Sequence, residues 1–365
     1  MPIPWRDAMS LALYGPDGFF VAGTGPADHF RTSVHASPAF ARALLRLLAQ
    51  VDAALGHPDR LDVVDVGAGR GELLHGLLRS IEDAAGLAVG VSGAAAGRSP
   101  DAPSSVAGRA SLAERVRFTA VEYAARPEHL PEEIEWVSEI PAGINGLLIA
   151  TEWLDNVPLD VAVHTPDGWR YLLVDPDSGA ETVGELVSSA DREWLTTWWP
   201  STDATRETPH SGHRAEIGRP RDDAWAAAVK SVERGLAVAV DYGHLRDSRP
   251  VDGTLTGYQS GRQVPPVPDG TRDVTAHVAM DSVASAGAAV ARCAYSLVSQ
   301  REALRALGAD GGRPPLSLAG TDPAGYVRAL AAASAVAELT DPAGLGGHWW
   351  LRQPVGIGLG PAVAR

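Results

Sequence analysis

Apolar residues recur along this chain with two periods, and each change of period marks an element. Phe40, Leu44, Leu45, Leu47, Leu48 and Val51 form a stripe at helical spacing, with Ser37 placed to cap it and Pro38 suited to its first turn. The pattern predicts a helix over 37–55. Leu61 to Val66 is then a short apolar run with an acid at Asp65, leading straight into Gly67, Gly69 and Gly71. Leu73, Leu74, Leu77, Leu78 and Ile81 return to helical spacing. A strand, a glycine turn and a helix in succession are the part of a doubly wound sheet where a nucleotide-like ligand sits. Glycine there lets the backbone approach a ligand closely and take angles that a Cβ forbids.

Two segments compete for the next strand. Leu87 to Val91 is apolar but ends in Ser92 and Gly93, whereas Arg115 to Glu122 alternates and ends in a carboxylate. We take the second, which leaves 92–111, rich in Gly, Ala, Ser and Pro, as a loop or disordered insertion. Ile134–Val137 and the buried run Gly146–Ala150 read as strands, and Val161–Val174 as a hairpin around Pro166-Asp-Gly168. The polar stretch 188–221 carries Trp194, Trp198 and Trp199, expected as the core of a small inserted subdomain. Trp225–Val232 reads as helix and Leu236–Asp241 as a buried strand ending in an acid. Residues 250–270 look loop-like, 274–307 and 326–339 helical, and 349–359 supply the last strands. The expected fold is α/β: a Rossmann-like sheet with helices on both faces, plus an inserted segment and a mainly helical addition. Expected boundaries are 1–57 for an N-terminal segment and helix, and 58–165 for the core, completed by 224–245 and 345–365. An insert at 166–223 and a helical cap at 246–344 make up the rest. Turns are marked at Gly15–Gly18 and Gly23–Gly25.

Charge narrows the partners. The 31 basic and 45 acidic residues give a net charge of −14, so the whole-molecule field attracts neither nucleic acid nor an anionic membrane. Cys293 is the single cysteine, which leaves no internal disulfide and no cysteine-rich metal site. His210, His213, His244 and His277 have no complete ligand spacing, so no metal is expected. The first 13 residues lack the pattern of a secretory signal, and Lys230 is the lone lysine in an Ala- and Gly-rich chain. A soluble, cytoplasmic, bacterial protein is expected.

The glycine spacing discriminates between ligands. A dinucleotide fingerprint requires glycine at position 72, which is Glu72, and a phosphate loop requires Lys and Ser or Thr after Gly71. An acid beside the loop repels a pyrophosphate but pairs with a ligand that carries an ammonium group. A strand ending in Asp followed by G-x-G-x-G resembles motif I of the class I S-adenosylmethionine (SAM) methyltransferases. That resemblance calls for an acid at the end of the second strand to accept hydrogen bonds from the ribose hydroxyls, and Glu122 stands there. Further acids and polar groups end other strands: Glu152 and Asp155, then Asp241 and Tyr242. In an open α/β sheet these ends line one crevice. Asp65, Gly67, Gly69, Gly71 and Glu122 are therefore candidates for cofactor binding, and Glu152, Asp155, Asp241 and Tyr242 for catalysis on the methyl-acceptor side. Two carboxylates there can grip a guanidinium in its forked geometry. Methyl transfer from a sulfonium is an in-line displacement, so alignment and a proton acceptor matter more than a covalent nucleophile.

Longer segments resemble the MidA family of SAM-dependent methyltransferases, which includes the mitochondrial complex I assembly arginine methyltransferase. Met9–Phe20 is similar to its opening "M-x-x-A-L-Y-x-P-x-x-G-Y-Y", and Phe30-Arg-Thr-Ser33 with Ser37 to "D-F-x-T-S-P-E-x-S". Thr151–Pro158 resembles "N-E-L-L-D-A-L-P", and Asp241-Tyr-Gly243, Gly253-Thr-Leu255 and Asp273–Val278 resemble "D-Y-G", "G-T-L" and "D-I-T-A-H-V". Val34, His35, Thr151 and Asp65 depart from the family pattern. The resemblance implies SAM as cofactor, S-adenosylhomocysteine as product, and Thr32 and Ser33 among the cofactor-binding residues. By analogy it implies N-methylation of an arginine in a partner protein. A small-molecule N- or O-methyltransferase and a non-catalytic SAM-binding assembly factor are the alternatives.

Overall fold

The computed structural model describes residues 1–21, 32–92, 110–199, 212–309 and 311–359. Its central sheet has seven strands: β1 (Leu61–Val66), β2 (Val116–Val121), β3 (Ile134–Val137), β4 (Ile144–Thr151), β5 (Val232–Asp241), β6 (Ser296–Ser299) and β7 (Trp349–Val355). They lie in the order β6-β7-β5-β4-β1-β2-β3. The run from β5 to β3 is parallel, and β7 is antiparallel to both β5 and β6. Strand order reverses between β1 and β4, where a doubly wound sheet opens its ligand crevice.

Side chains alternate between two cores, as a sheet covered on both faces requires. Leu61 and Val63 of β1, with Leu147 and Ile149 of β4, join the core under the helices Pro38–Ala54 and Glu72–Ser92. Val64, Val66, Leu148 and Ala150 join the opposite core, under Arg219–Ser231 and Met280–Ala291. Ser37 caps the first of these helices by accepting the Ala39 N–H at 3.0 Å, and Pro38 occupies its first turn. Two glycines let β5, β4 and β1 close up. A Cβ on Gly146 would sit 2.1 Å from the Asp62 carbonyl oxygen, and one on Gly235 would sit 1.9 Å from that of Gly146.

A second, antiparallel sheet joins Ile3–Pro4, Gly168–Val174, Asp160–Thr165 and Arg214–Ile217, with Glu181–Leu186 paired to Gly168–Val174. The helix Trp5–Tyr14 packs on it through Trp5, Met9 and Leu13, and Trp194 and Trp199 bury themselves against Ala162, Ala215 and Ile217. Among the described residues no helix is long and apolar enough to cross a membrane.

Several expected boundaries shift. Leu87–Val91, the segment passed over for the second strand, is the end of the helix Glu72–Ser92. Asp160–Thr165, expected in the core, pairs with Gly168–Val174 and belongs to the second sheet, as do Ile3–Pro4 of the N-terminal segment. The stretch 246–344, expected to be helical, contains a three-stranded sheet of Thr256–Gln259, Arg262–Val264 and Asp273–Thr275, and it contributes β6 to the central sheet. These strands are three or four residues long, too short to print a period of two on the sequence. Of the expected insertion at 92–111, residues 93–109 lie outside the described residues, as do the turn at Gly23–Gly25, Phe30, Arg31 and His210.

Candidate active site

The glycine loop leaves β1 with Gly67, Gly69 and Gly71 all at positive φ (72°, 59° and 79°), the region that disfavours any side chain. Each glycine answers a different neighbour. A Cβ on Gly67 would lie 3.0 Å from the Trp153 ring, and one on Gly71 only 2.6 Å from Leu130. Gly69 instead faces open space, with Glu72 Oε2 at 3.8 Å, so its missing side chain leaves room in the crevice.

Glu122, the residue after β2, holds this loop. One carboxylate oxygen accepts the Gly69 N–H at 2.9 Å, and the other accepts the N–H groups of Tyr123 at 2.7 Å and Ala124 at 3.4 Å. Burial pushes its pKa up while these three donors pull it down. The oxygen that faces Gly69 keeps a lone pair for a ribose hydroxyl. Asp65 is buried at the end of β1, where desolvation and then Glu122 and Glu72 push its carboxyl well above the ordinary range.

The turn after β4 carries the other acids. Glu152 stands at φ 52°, donating its N–H to Val240 O at 2.8 Å while its Oε1 accepts the Ser33 N–H at 3.1 Å. Burial raises its pKa to about 7, against the Ser33 bond, which lowers it. Asp155 accepts O–H donors on one oxygen, from Tyr242 and from Thr275 (2.7 Å for the latter), and its buried Oδ1 has no partner. Burial pushes this carboxyl up, with the Tyr242 and Thr275 bonds opposing.

Two expected site residues are placed differently. Asp241 is buried behind the cavity, where its oxygens accept the N–H groups of Leu154 (3.0 Å), Asp155 (3.3 Å) and Tyr242 (3.0 Å). It anchors the turn that carries Glu152 and does not line the cavity, because the backbone N–H groups of that turn take up its oxygens. Ser33 is likewise fully buried: its N–H goes to Glu152 and its hydroxyl lies 3.2 Å from Gln300 Oε1. Thr32 does line the cavity, its hydroxyl 2.7 Å from His35 Nδ1, and Tyr242 lines it between the rings of His277 and His348. His244 is buried against Arg249 and Trp199, away from it.

Other participants carry no signal in sequence, or a faint one. His35 Nε2 lies 3.3 Å from Glu72 Oε1, a bond that raises the histidine pKa and joins the N-terminal segment to the loop helix. Arg221 is fully buried and gives its guanidinium N–H groups to the carbonyls of Asp155, Val157, Ala276 and His277, tying three segments together. Gln300 receives the Trp350 indole N–H at 3.1 Å and contacts Ser33, and His348 precedes β7 and lines the cavity. Asp273 and Tyr14 stand in segments that the family resemblance singled out: Asp273 accepts from Asn156 at 2.6 Å, and Tyr14 donates to Asn156 O at 3.3 Å.

The glycine loop, Glu122, Glu152, Asp155, Tyr242 and His348 line one cavity of about 1040 Å³. Pockets for small molecules and cofactors measure roughly 300–1,000 Å³, and this cavity stands at the upper end of that range. Its walls carry Asp65, Glu72, Glu122, Glu152, Asp155 and Asp273. That donor set matches SAM: carboxylates for a ligand with sulfonium and ammonium charges, a diol acceptor at Glu122, and an open glycine at 69. Among the described residues no cluster of His, Cys, Asp and Glu could hold a metal ion.

Comparison with solved structures gives the same fold. A COG1565 superfamily member from Burkholderia thailandensis, crystallised with S-adenosyl-homocysteine, is 22% identical with a TM-score of 0.73, covering 99% of this chain and 90% of its own. A native crystal structure of a COG1565 superfamily protein from the same organism is 23% identical with a TM-score of 0.71, covering 100% and 90%. Comparison with curated proteins gives no match. Residues 41–297 match the sequence family described as "Putative S-adenosyl-L-methionine-dependent methyltransferase", a stretch that takes in the glycine loop, Glu122 and the Glu152–Asp155 turn. The chain belongs to that family, and it is a SAM-dependent methyltransferase of class I fold.

Proposed function

We propose that the enzyme transfers the methyl group of SAM to a side-chain nitrogen of an arginine in a partner protein, as the likeness to MidA proteins suggests. The observation that carries this reading is the pair Glu152 and Asp155, a part-buried and a buried carboxyl group on one turn across the cavity from the glycine loop. Among the described residues Asp155 keeps an unpartnered oxygen and Glu152 accepts a single hydrogen bond, so both have lone pairs for a guanidinium fork. SAM supplies the electrophilic methyl, held by the loop of Gly67, Gly69 and Gly71 and by Glu122. The structure of the Burkholderia thailandensis protein with S-adenosyl-homocysteine supports that end of the site. This chain's residues do the rest. The acids neutralise and align the guanidinium, Tyr242 and Thr275 fix Asp155, and Ser33 fixes Glu152. A carboxylate with a pKa of about 7 is suited to take the proton that N-methylation releases.

Incubation with methyl-labelled SAM and cell extract, followed by hydrolysis and amino-acid analysis, tests the reading. Label is expected in methylarginine and lost with Glu152→Gln. Label in a small molecule alone would replace the proposed acceptor, and cofactor binding without transfer would make the protein a SAM-binding assembly factor.

A further inference from the structure

We propose that Nδ1 of His348 accepts the hydrogen bond of protonated Glu152, which makes His348 a positioning residue for the proton that leaves the acceptor nitrogen. The inference rests on the reading of Glu152 as the group facing that nitrogen. In the step considered, the nitrogen lone pair forms the new N–C bond, and the C–S bond breaks with its electron pair going to sulfur. The N–H proton passes to an oxygen of Glu152.

Geometry singles out the pair. The described non-glycine residues at positive φ are His57, Glu152, Ser260 and Arg292, and of these only Glu152 lines the cavity. A side chain held in this costly backbone region by two hydrogen bonds marks a position that the surroundings enforce. His348 is fixed from behind, since its carbonyl accepts the Gln300 N–H at 2.7 Å. Its Nδ1 is buried, has no hydrogen-bond partner, and lies 4.0 Å from Glu152 Oε1. An imidazole lone pair has nothing to bond in a carboxylate but accepts from a carboxylic acid. With its hydrogen on Nε2, His348 therefore stays apart from ionised Glu152 and closes on the protonated form.

The surroundings favour that arrangement. Repulsion from Asp155 favours protonated Glu152, the Glu152 charge likewise pushes up Asp241 and Asp273, and the Ser33 N–H and His35 oppose at Glu152. His348 faces the Tyr242 ring and His277. Burial raises Glu152 to about 7 and lowers His348 to about 4, so a proton arriving between the two rests on the carboxyl and the imidazole stays neutral.

Carboxyl carbon-13 NMR titration of Glu152 in the ligand-free protein, in His348→Leu and in His348→Asn decides the matter. Leucine keeps the site dry without an acceptor, whereas asparagine restores one through its carbonyl. The Glu152 midpoint is expected to fall by about one pH unit with leucine and to recover by half or more with asparagine. The acidic limb of kcat should move down with it in His348→Leu, with kcat lowered roughly tenfold and KM unchanged. Equal midpoints in all three proteins overturn the proposal. So do equal shifts in both variants, which would report lost burial and not a lost acceptor. Failure of the parent to methylate an arginine peptide would remove the proposed acceptor, while the midpoints would still decide on the Glu152–His348 pair.

Discussion

At the residue scale, Glu152 is held against its own preferences, since burial opposes its charge and φ 52° opposes its backbone. Its folded pKa of about 7 lies above the ordinary 4.5, so the folded state binds more protons than the unfolded one between those values. Its favourable contribution is complete below the unfolded pKa and is lost as pH rises through 7. Glu152→Gln cannot ionise, so the variant is expected to exceed the parent in stability at about pH 8, by on the order of 2 kcal/mol, and not at about pH 5. Urea unfolding at the two pH values checks this. Glu122 is also pushed up by burial, but three N–H donors oppose that shift and tie its carboxyl group to the glycine loop. Glu122→Ala is expected to weaken SAM binding about tenfold or more, and Gly69→Val to abolish it, because φ 59° excludes a β-branched residue and its side chain would enter the crevice. Calorimetric titration measures both. Acids at strand ends were readable in the sequence because a doubly wound sheet must bring those ends together. Which of them turn inward was not, since that depends on local backbone donors: Asp241 is consumed by Leu154, Asp155 and Tyr242, whereas Asp155 keeps a free oxygen.

At the element scale, the strands that frame the crevice depend on close approach. Gly146 and Gly235 are register partners on β4 and β5, and Gly146 also faces Asp62 on β1. Gly235→Ala would drive a Cβ into the Gly146 carbonyl at φ 146°, so it should lower stability by about 3 kcal/mol or more, seen as a fall in the urea midpoint with an unchanged slope. Long elements with an unbroken period, such as Pro38–Ala54 and Leu61–Val66, are where the sequence reading and the structure agree. Leu87–Val91 competed with Arg115–Glu122 because a continuous apolar run does not separate strand from helix, and here the helix begun at Glu72 simply continues. Strand β6, Ser-Leu-Val-Ser, had no local signature, because its place is set by pairing with β7.

At the scale of the whole molecule, a net charge of −14 and an acidic cavity act in the same direction, and under the proposed function both would attract a cationic acceptor. Raising ionic strength from about 0.05 M to about 0.5 M shortens the screening length several-fold, so KM for an arginine peptide is expected to rise while kcat changes little. A KM insensitive to salt would remove the attraction from the account. The division into a central sheet and a second sheet was only half legible. The hairpin of Asp160–Thr165 and Gly168–Val174 is written locally, but its union with Ile3–Pro4 and Arg214–Ile217 joins segments more than 40 residues apart in sequence. His348 and Gln300 reach the site in the same way, from the far end of the chain, which is why no spacing announced them. The most direct measurement of the central claim is methyl transfer from labelled SAM into protein in cell extract, parent against Glu152→Gln, read as methylarginine after hydrolysis. Labelled methylarginine with the parent and its loss with the variant is the expected result. Equal labelling by both proteins, or no label in arginine, would contradict the account.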